Sequence, residues 1–376
     1  MADLLSFINE FTKYGYPRQV ANDPRIQFGT QDRAYLGAQI MPMQTSDTNM
    51  IIEDLGRFEV VVAGDGDSLS PPQIKQSAGG AELMVRLGHI DIASQMTARD
   101  MKRLGNLLDQ GDRAAAEEFL TRWLTRAIRL GIEEKAEVQR WQMLCNAQVT
   151  VQYLDQPSRT LNFPDLQPSG HRVTVPSGTT GSPTGWYSDT FDPMKETIIP
   201  LKIMLEEKGY MVSRIVTSTT IRDGVLASNA KMMQRSGGTM VINTGGQLET
   251  IDRNLSDVNS RFIANELPRP EVYNLRYKTQ SNTARFLGED KFVMLCTTGR
   301  SLEIDLGDEG IQVIEDVFGY YGVGVSDGQT EPGAVITTRY SDLKPVGIYA
   351  EGYEEGFPVL LEPEALVVIT IPKPTA

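Results

Sequence analysis

The chain of 376 residues is 40% hydrophobic and 23% charged, a composition typical of a folded protein that is long enough for two cores. Its formal net charge of −13 argues against a general nucleic-acid binder, because such proteins neutralise phosphates with Lys and Arg. No apolar run approaches the roughly 20 residues that a helix needs to cross a membrane. The N-terminus has no basic region or small-residue cleavage site, so we expect no secretory signal.

Residues 1–50 are predicted to form an N-terminal arm rather than a domain. Leu4, Ile8 and Phe11 recur at helical spacing, and Gly15 ends this short helix. The stretch that follows is irregular and is interrupted by prolines. Because such a segment buries little apolar surface by itself, we expect its apolar side chains to contact a neighbouring copy of the chain instead of a core of their own.

Residues 51–92 are predicted to form one long β-hairpin. Two apolar stretches, MIIEDLGRFEVVV and AELMVRLGHIDI, flank the connector GDGDSLSPPQIKQSAGG. The Gly, Ser, Pro and Asp content of this connector predicts an exposed loop. A connector of this length is unusual inside a compact domain and is typical of a functional or a disordered segment.

A single long helix is predicted from about Arg113 to Asn146. The segment contains no proline, and its apolar residues recur at spacings of three and four: Ala116, Phe119, Leu120, Trp123, Leu124, Ala127, Ile128, Val138, Trp141 and Cys145. We expect Phe119, Trp123 and Ile128 to be buried. A helix of this length spans on the order of 50 Å, which favours a scaffolding element.

The remainder of the chain alternates between helix and strand. We predict a helix from Asp192 to Gly209, a strand over 212–218, a helix over 219–233 and a half-buried strand in which Tyr273, Leu275 and Tyr277 alternate with polar residues. Cys145 and Cys296 lie in apolar stretches and are expected to be buried thiols, with a disulfide between them as the alternative.

Catalytic signals are weak, and we expect no catalytic residue, no cofactor and no metal site. Gly324-Val325-Ser326-Asp327-Gly328 matches G-x-S-x-G, but Pro332 follows closely and both histidines, His89 and His171, lie upstream. A glycine-rich loop is the simpler interpretation. Asp65 and Asp67 begin like a calcium loop, yet no Glu closes it.

The order of these parts resembles the HK97 fold of tailed-bacteriophage major capsid proteins, and most closely the lambda-like branch. Three stretches carry the resemblance: EEKAEVQRWQMLCNAQVTV, similar to the spine helix of that family, FDPMKETIIPLKIMLEEKGYMVSRIVTS, similar to the start of its axial domain, and RYSDLKPVGIYAEGYEEGFPVLLEPEALVVITI, similar to its closing segment. The resemblance implies an α+β fold with an N-terminal arm (1–50), an extended loop (51–92), a peripheral domain with the spine helix (93–190 and 335–376) and an axial domain (191–334).

The same resemblance implies a function by assembly and no enzymatic activity. Pentamers and hexamers of the chain would form an icosahedral shell around a double-stranded DNA genome, which the shell contacts only non-specifically. The implied partners are further copies, a separate scaffolding protein and a portal, with a decoration protein left open; no membrane is involved. The implied location is the virion, after assembly in the host cytoplasm. Two alternatives stay open: an encapsulin-type compartment, and a β-rich hydrolase or carbohydrate-binding protein that uses Ser326 or Tyr320–Tyr321.

Overall fold

The computed structural model describes residues 2–30, 33–54, 82–151, 158–233, 255–279, 282–306, 310–326, 329–341 and 346–375. Contacts within the chain define two compact units. Unit 1 comprises Met1–Ile26, Met41–Ala136 and Phe318–Pro363, and unit 2 comprises Gln27–Ile40, Glu137–Val317 and Glu364–Ala376. The predicted domain boundaries at 50, 92, 190 and 334 stay predictions.

The α-helices of the described residues are, in chain order, α1 Ala2–Lys13, α2 Tyr16–Ala21, α3 Leu36–Ile40, α4 Ala98–Asp109, α5 Arg113–Leu124, α6 Leu130–Asn146, α7 Ile199–Glu207, α8 Ala230–Met233 and α9 Leu255–Ala264. A π-helical turn, Thr125–Arg129, joins α5 to α6. The prediction of one long helix from Arg113 to Asn146 is therefore confirmed. Other π-helical segments are Met194–Ile198, which leads into α7, and Thr220–Leu226.

The β-strands of the described residues are β1 Gly29–Thr30, β2 Arg33–Ala34, β3 Met43–Thr45, β4 Met50–Asp54, β5 Glu82–Arg86, β6 Gly88–Gln95, β7 Gln148–Val151, β8 Arg159–Asn162, β9 Arg172–Thr174, β10 Gly178–Thr179, β11 Ser182–Pro183, β12 Val212–Thr217, β13 Pro270–Val272, β14 Arg276–Lys278, β15 Thr283–Arg285, β16 Lys291–Cys296, β17 Ser301–Asp305, β18 Ile311–Glu315, β19 Gly319–Val323, β20 Val335–Ser341, β21 Gly347–Leu360 and β22 Leu366–Thr370.

Unit 1 is built on a sheet around the long strand β21. Four strands follow the order β20-β21-β19-β3, and a fifth strand, β6, also pairs with β21. All pairs are antiparallel except β19 with β3. Helix α5, the π turn and the start of α6 pack on this sheet through Leu120, Leu124, Ile128 and Ile132, which are fully buried. A Cβ atom on Gly352 of β21 would overlap Ile128, so glycine permits this close approach.

The buried stripe of the long helix differs in detail from the prediction. Ile128 is fully buried, as predicted, but Phe119 and Trp123 are only half-buried at the edge of the core. The central positions are instead Ala116, Leu120, Leu124, Ile128, Ile132 and Ala136, a strict spacing of four. Phe119 and Trp123 each precede one of these central positions by one residue, which places them at the edge of the buried face.

The N-terminal arm is buried within its own chain, so the prediction that its apolar residues lack such a core is wrong. Phe7, Ile8 and Phe11 of α1 lie in the core of unit 1 together with Ile336 and Ile348 of the sheet. The ring of Phe11 stacks on Tyr16, with ring centres 4.9 Å apart. The apolar stripe of α1 was visible in the sequence, but its partner is separated from it by more than 300 residues and gave no local signal.

Unit 2 is built on a second five-stranded sheet of order β13-β12-β16-β22-β9. Strand β12 is parallel to β13, β22 is parallel to β9, and the central pairs are antiparallel. Trp186 and Phe262 pack on Phe292 of β16. Both cysteines are buried free thiols, as expected, and burial raises the pKa of each to about 12.

Two predicted elements of unit 2 are interrupted. The helix predicted over 219–233 breaks at Asn229, whose side-chain amide donates to the carbonyls of Trp186, Ser188 and Phe191 and whose Oδ1 accepts from the first turn of α8. The strand predicted through Tyr273 and Tyr277 divides into β13 and β14. The side chain of Tyr273 is held by a buried carboxylate, because its hydroxyl donates to Glu137 at 2.7 Å.

Glu137 organises the polar interior of unit 2. Its Oε1 accepts from the Tyr273 hydroxyl, from the indole of Trp141 at 2.8 Å and from the backbone N–H of Gly37 at 2.8 Å. Burial raises the pKa of Glu137, while Arg140 and these donors oppose the rise. One carboxylate thereby ties α3 and the end of β13 to α6.

Burial of the arm predicts that it contributes to the stability of a single subunit. Phe11→Ala should lower the free energy of unfolding by about 3–5 kcal/mol, because a 1% exposed aromatic side chain is removed from the core. The control is Tyr14→Ala in the turn directly after α1, at a position that is 69% exposed, where the change should be within about 0.5 kcal/mol. Denaturant unfolding of unassembled protein measures both. Equal losses in the two variants would show that α1 is not part of the core.

Candidate functional site

Strands β4 and β5 form the base of the predicted long hairpin, and they are the strongest candidate for an assembly surface. They pair antiparallel, with Ile52 opposite Met84 and Met50 opposite Arg86. This confirms the base of the predicted hairpin, whereas residues 88–92, predicted to belong to it, lie in β6 and pair with β21. The connector, with the predicted tip at 63–80, lies outside the described residues.

The inward face of the hairpin base anchors it to unit 1. Ile51 and Val85 are buried, and Leu87 continues the apolar face beyond β5. Ile51 and Leu87 lie over Gly322 of β19, where a Cβ atom would overlap Ile51. The next inward side chain is polar: the Tyr320 hydroxyl donates to Glu53 Oε1 at 2.6 Å. Burial, followed by the contact with Glu53, raises the pKa of Tyr320.

The outward face of the same hairpin is apolar and exposed. Met50, Ile52 and Met84 are 50%, 53% and 62% exposed, although each belongs to a residue type that usually lies in a core. Because successive side chains of a strand point to opposite faces, the three lie together on one face. Both faces of this short hairpin therefore carry apolar side chains, and Arg86 shares the outward face with them. A sheet that is apolar on both faces is typical of a strand pair with a partner on each side.

The side chains of the alternative sites proposed from the sequence, and of His89, have partners within the chain. Ser326 is buried, with its Oγ 3.5 Å from the carbonyl oxygen of Gly333. Tyr321 is fully buried and Tyr320 is held by Glu53, so neither ring offers a surface for a sugar. Nδ1 of His89 pairs with Glu355 at 2.7 Å. This geometry favours the structural interpretation of Ser326.

His171 is a buried histidine with both ring nitrogens occupied. Its Nδ1 lies 3.0 Å from the carbonyl oxygen of Leu366 and its Nε2 lies 3.0 Å from Lys208 Nζ. Nδ1–H donates a hydrogen bond to the carbonyl oxygen, and Nε2 accepts one from the ammonium group, which is the pattern of a neutral ring. Burial lowers the pKa of His171, and the positive charges of Lys208 and Arg172 lower it further. The hydrogen bond to Leu366 and the negative charge of Glu364 act in the opposite direction and raise the pKa, but they do not outweigh burial.

A search of the described residues finds no cluster of three or more histidine, cysteine, aspartate or glutamate side chains placed to hold a metal ion. In the same part of the chain, no helix combines the length and the apolar character that crossing a membrane requires.

Comparison with protein-family models gives no match, and comparison with curated proteins gives none. Solved structures do match. A prophage capsid protein from Escherichia coli CFT073 superposes with a TM-score of 0.55 at 13% identity, covering 96% of this chain and 98% of that one. A phage-related protein from Bordetella bronchiseptica RB50 gives 0.48 at 13% identity, covering 92% and 95%. The procapsid of satellite phage P4 gives 0.46 at 7% identity, covering 93% and 90%.

The first of these matches establishes the fold. The chain has the α+β HK97-type fold that its sequence resembles, over nearly its whole length. The sequence prediction of this fold is therefore confirmed. The exposed apolar face of the hairpin base was not singled out from the sequence, although the signal was present in the alternating residues Met50, Ile52 and Met84.

The buried neutral state of His171 predicts a dependence of stability on pH. The pKa of His171 is lowered in the folded state, so below about pH 6.5 the unfolded chain binds a proton that the folded chain does not. The free energy of unfolding should therefore fall as the pH is lowered from 7.5 to 5.5. The contribution of the neutral His171 to stability should be fully present above the unfolded-state pKa.

His171→Gln keeps an acceptor for Lys208 without a titrating group, so this part of the pH dependence should disappear. Denaturant unfolding of the unassembled subunit at several pH values measures it, with a variant of the exposed His89, His89→Gln, as control. A pH dependence that survives in His171→Gln and vanishes in His89→Gln would contradict the assignment.

Proposed function

We propose that this chain is the major capsid protein of a tailed bacteriophage. Copies of it assemble as pentamers and hexamers into an icosahedral shell that encloses a double-stranded DNA genome. The shared fold with a prophage capsid protein supports this proposal. The observation that carries it is the hairpin base, which is anchored on one face and exposes Met50, Ile52 and Met84 on the other.

The exposed hairpin face has the physical properties of a contact between copies. Each of its half-exposed side chains gains on the order of 1 kcal/mol when the rest of its apolar surface is buried. One contact of this kind is weak, but every subunit in a closed shell repeats it, and heterologous contacts that close are the basis of such shells. Residues 55–81, which connect β4 to β5 in the sequence, belong to the proposed extended loop.

The remaining parts of the assignment follow the same proposal. Residues 1–50 are the N-terminal arm and 51–92 the extended loop. Residues 93–190 with 335–376 form the peripheral domain, and 191–334 form the axial domain. The protein is not an enzyme and works in the virion after assembly in the host cytoplasm. A separate scaffolding protein and a portal are its proposed partners.

The first test is the particle itself. Wild-type protein should form closed shells, seen by negative-stain electron microscopy, when it is purified by itself or when it is co-expressed with its scaffolding partner. A protein that elutes only as a small oligomer on gel filtration and forms no shell under either condition would overturn the proposal. A shell filled with an enzyme instead of a genome would favour the encapsulin-type alternative.

The hairpin face gives a sharper test. The double variant Ile52→Ser/Met84→Ser should leave a folded subunit, because both side chains are already half-exposed, and should reduce the yield of closed shells strongly. Arg86→Gln, on the same exposed face, removes a charge without removing apolar surface and should assemble like the wild type. Particle counts by electron microscopy and circular dichroism of the subunits measure both. Normal shells from the double variant would remove the hairpin face from the assembly contacts.

A further inference from the structure

Strand β6 lies at an edge of the unit 1 sheet, because β21 is the only described strand that pairs with it. The N–H of Met96, directly after β6, donates to the carbonyl oxygen of Ile348 at 2.8 Å, and the register is constant along the pair. Since backbone groups alternate in direction along an antiparallel strand, the even-numbered residues of β6 bond to β21 and the odd-numbered ones point outward. Among the described residues, no group bonds to these outward N–H and C=O groups. The outward-pointing residues are His89, Asp91, Ala93 and Gln95.

The side chains of the odd-numbered residues lie on the exposed face of the sheet, beside a cavity of about 410 Å³. Asp91 and Ala93 of β6 line this cavity together with Tyr353 and Glu351, which lie directly opposite them on β21. Among the described residues Asp91 has no hydrogen-bond or ion-pair partner, whereas Glu351 pairs with Arg339 at 3.1 Å on the exposed surface. Two carboxylates beside the half-buried ring of Tyr353 form a site suited to a cationic side chain.

Ile92 gives the opposite face of this edge an apolar character. Its side chain lies against α6, where a Cβ atom on Gly131 would overlap Ile92 Cδ1. Ile92 is only half-buried at the margin of the unit 1 core. A strand added to the edge would cover the rest of it with every second side chain, because side chains alternate between the two faces. The edge therefore selects apolar residues on the helix side and a basic residue on the cavity side.

We propose that the outer edge of β6 is a docking site for an extended segment of a partner protein, in which a lysine or arginine alternates with apolar residues. The segment adds to the sheet as a strand through the outward N–H and C=O groups of β6. Ala93 has only a methyl group, so a basic side chain opposite it passes over Ala93 to reach Glu351 and Asp91. The site lies within one subunit and does not depend on the proposed function.

The charges around the edge favour a basic partner over the other strands that could fill it. A second copy of β6, paired antiparallel, would bring another Asp91 to the same face, and each copy carries a net charge of −13. The chain's own connector, residues 55–81, contains two basic and three acidic side chains. Like charges on neighbouring strands are destabilising, whereas a basic segment meets the two carboxylates of the cavity.

The probe is a fluorescein-labelled synthetic heptapeptide with Val at the odd positions, Lys at the centre and Thr at the two other even positions. Two forms of it keep every side chain and differ in the backbone. In the first, N-methyl groups on Lys and both Thr replace the N–H groups that would face β6. In the second, N-methyl groups on three of the Val residues replace N–H groups that would face solvent. Fluorescence anisotropy with the unassembled full-length subunit measures the binding of each.

We expect the unmodified peptide to bind and the first methylated form to bind at least about tenfold more weakly, because the strand can no longer donate to β6. The second methylated form should keep its affinity. A peptide with Glu in place of the central Lys should also bind about tenfold more weakly. Equal affinities of the two methylated forms would show that no strand is added to the edge. That result, or no binding by the unmodified peptide, overturns the proposal.

Substitutions in the subunit test the cavity. Asp91→Asn/Glu351→Gln should weaken binding of the Lys peptide about tenfold. The matched control, Glu303→Gln/Asp305→Asn, removes two exposed carboxylates from β17 in unit 2 and should leave binding unchanged. Circular dichroism checks that both variants are folded. Equal losses in the two variants would mean that only net charge matters, which contradicts a specific site.

Two further results would assign the edge to a different occupant and overturn the proposal. Dimers of the wild-type subunit in analytical ultracentrifugation that the peptide dissociates would assign the edge to a second copy. Peptide binding that appears only when residues 56–80 are replaced by a short turn would assign it to the chain's own connector.

Discussion

A buried arginine holds the long helix against the sheet of unit 1. Arg129 is 1% exposed and lies 2.6 Å from Glu133 of the same helix and 3.4 Å from Glu354 of β21. Burial alone would lower the pKa of Arg129, but the negative charges of Glu133 and Glu354 outweigh this effect. The pKa is therefore raised, and the guanidinium stays charged. Losing one partner of a buried pair costs about 3–5 kcal/mol, whereas exposed pairs contribute little. The helix therefore cannot slide along the sheet without separating these charges, and its apolar contacts are fixed in register.

Unit 2 fixes its own part of α6 by a similar device. Glu137 begins that part of the helix and receives three hydrogen bonds, from Gly37, Trp141 and Tyr273. The segment containing Gly37 belongs to the N-terminal region of the chain, and Tyr273 lies 136 residues beyond Glu137. A few buried carboxylates thus gather distant stretches around one helix. Buried polar groups of this kind specify a unique packing when every partner is present.

The parts of the fold that the sequence predicted are those with local signals. The long helix has apolar residues at constant spacing, and the hairpin base has alternating ones. Tertiary partners left no such signal: Arg129 and Glu354 are separated by 225 residues. The sequence identified the start of the arm as an apolar helix. It did not show that β20 and β21 cover this helix. Asn229 and Tyr273 broke predicted elements because their side chains bond to groups that only the folded chain brings near. The outward apolar face of the hairpin could be read from the alternation of Met50, Ile52 and Met84.

The charge of the chain constrains how copies of it can associate. If each subunit carries −13, neighbours in a shell repel one another, so contacts built on surface ion pairs would have to overcome a like-charged background. At physiological salt this repulsion is screened beyond about 8 Å, while apolar contacts act at direct touch. Burial of an apolar face such as that of Met50, Ile52 and Met84 is therefore suited to hold such subunits together.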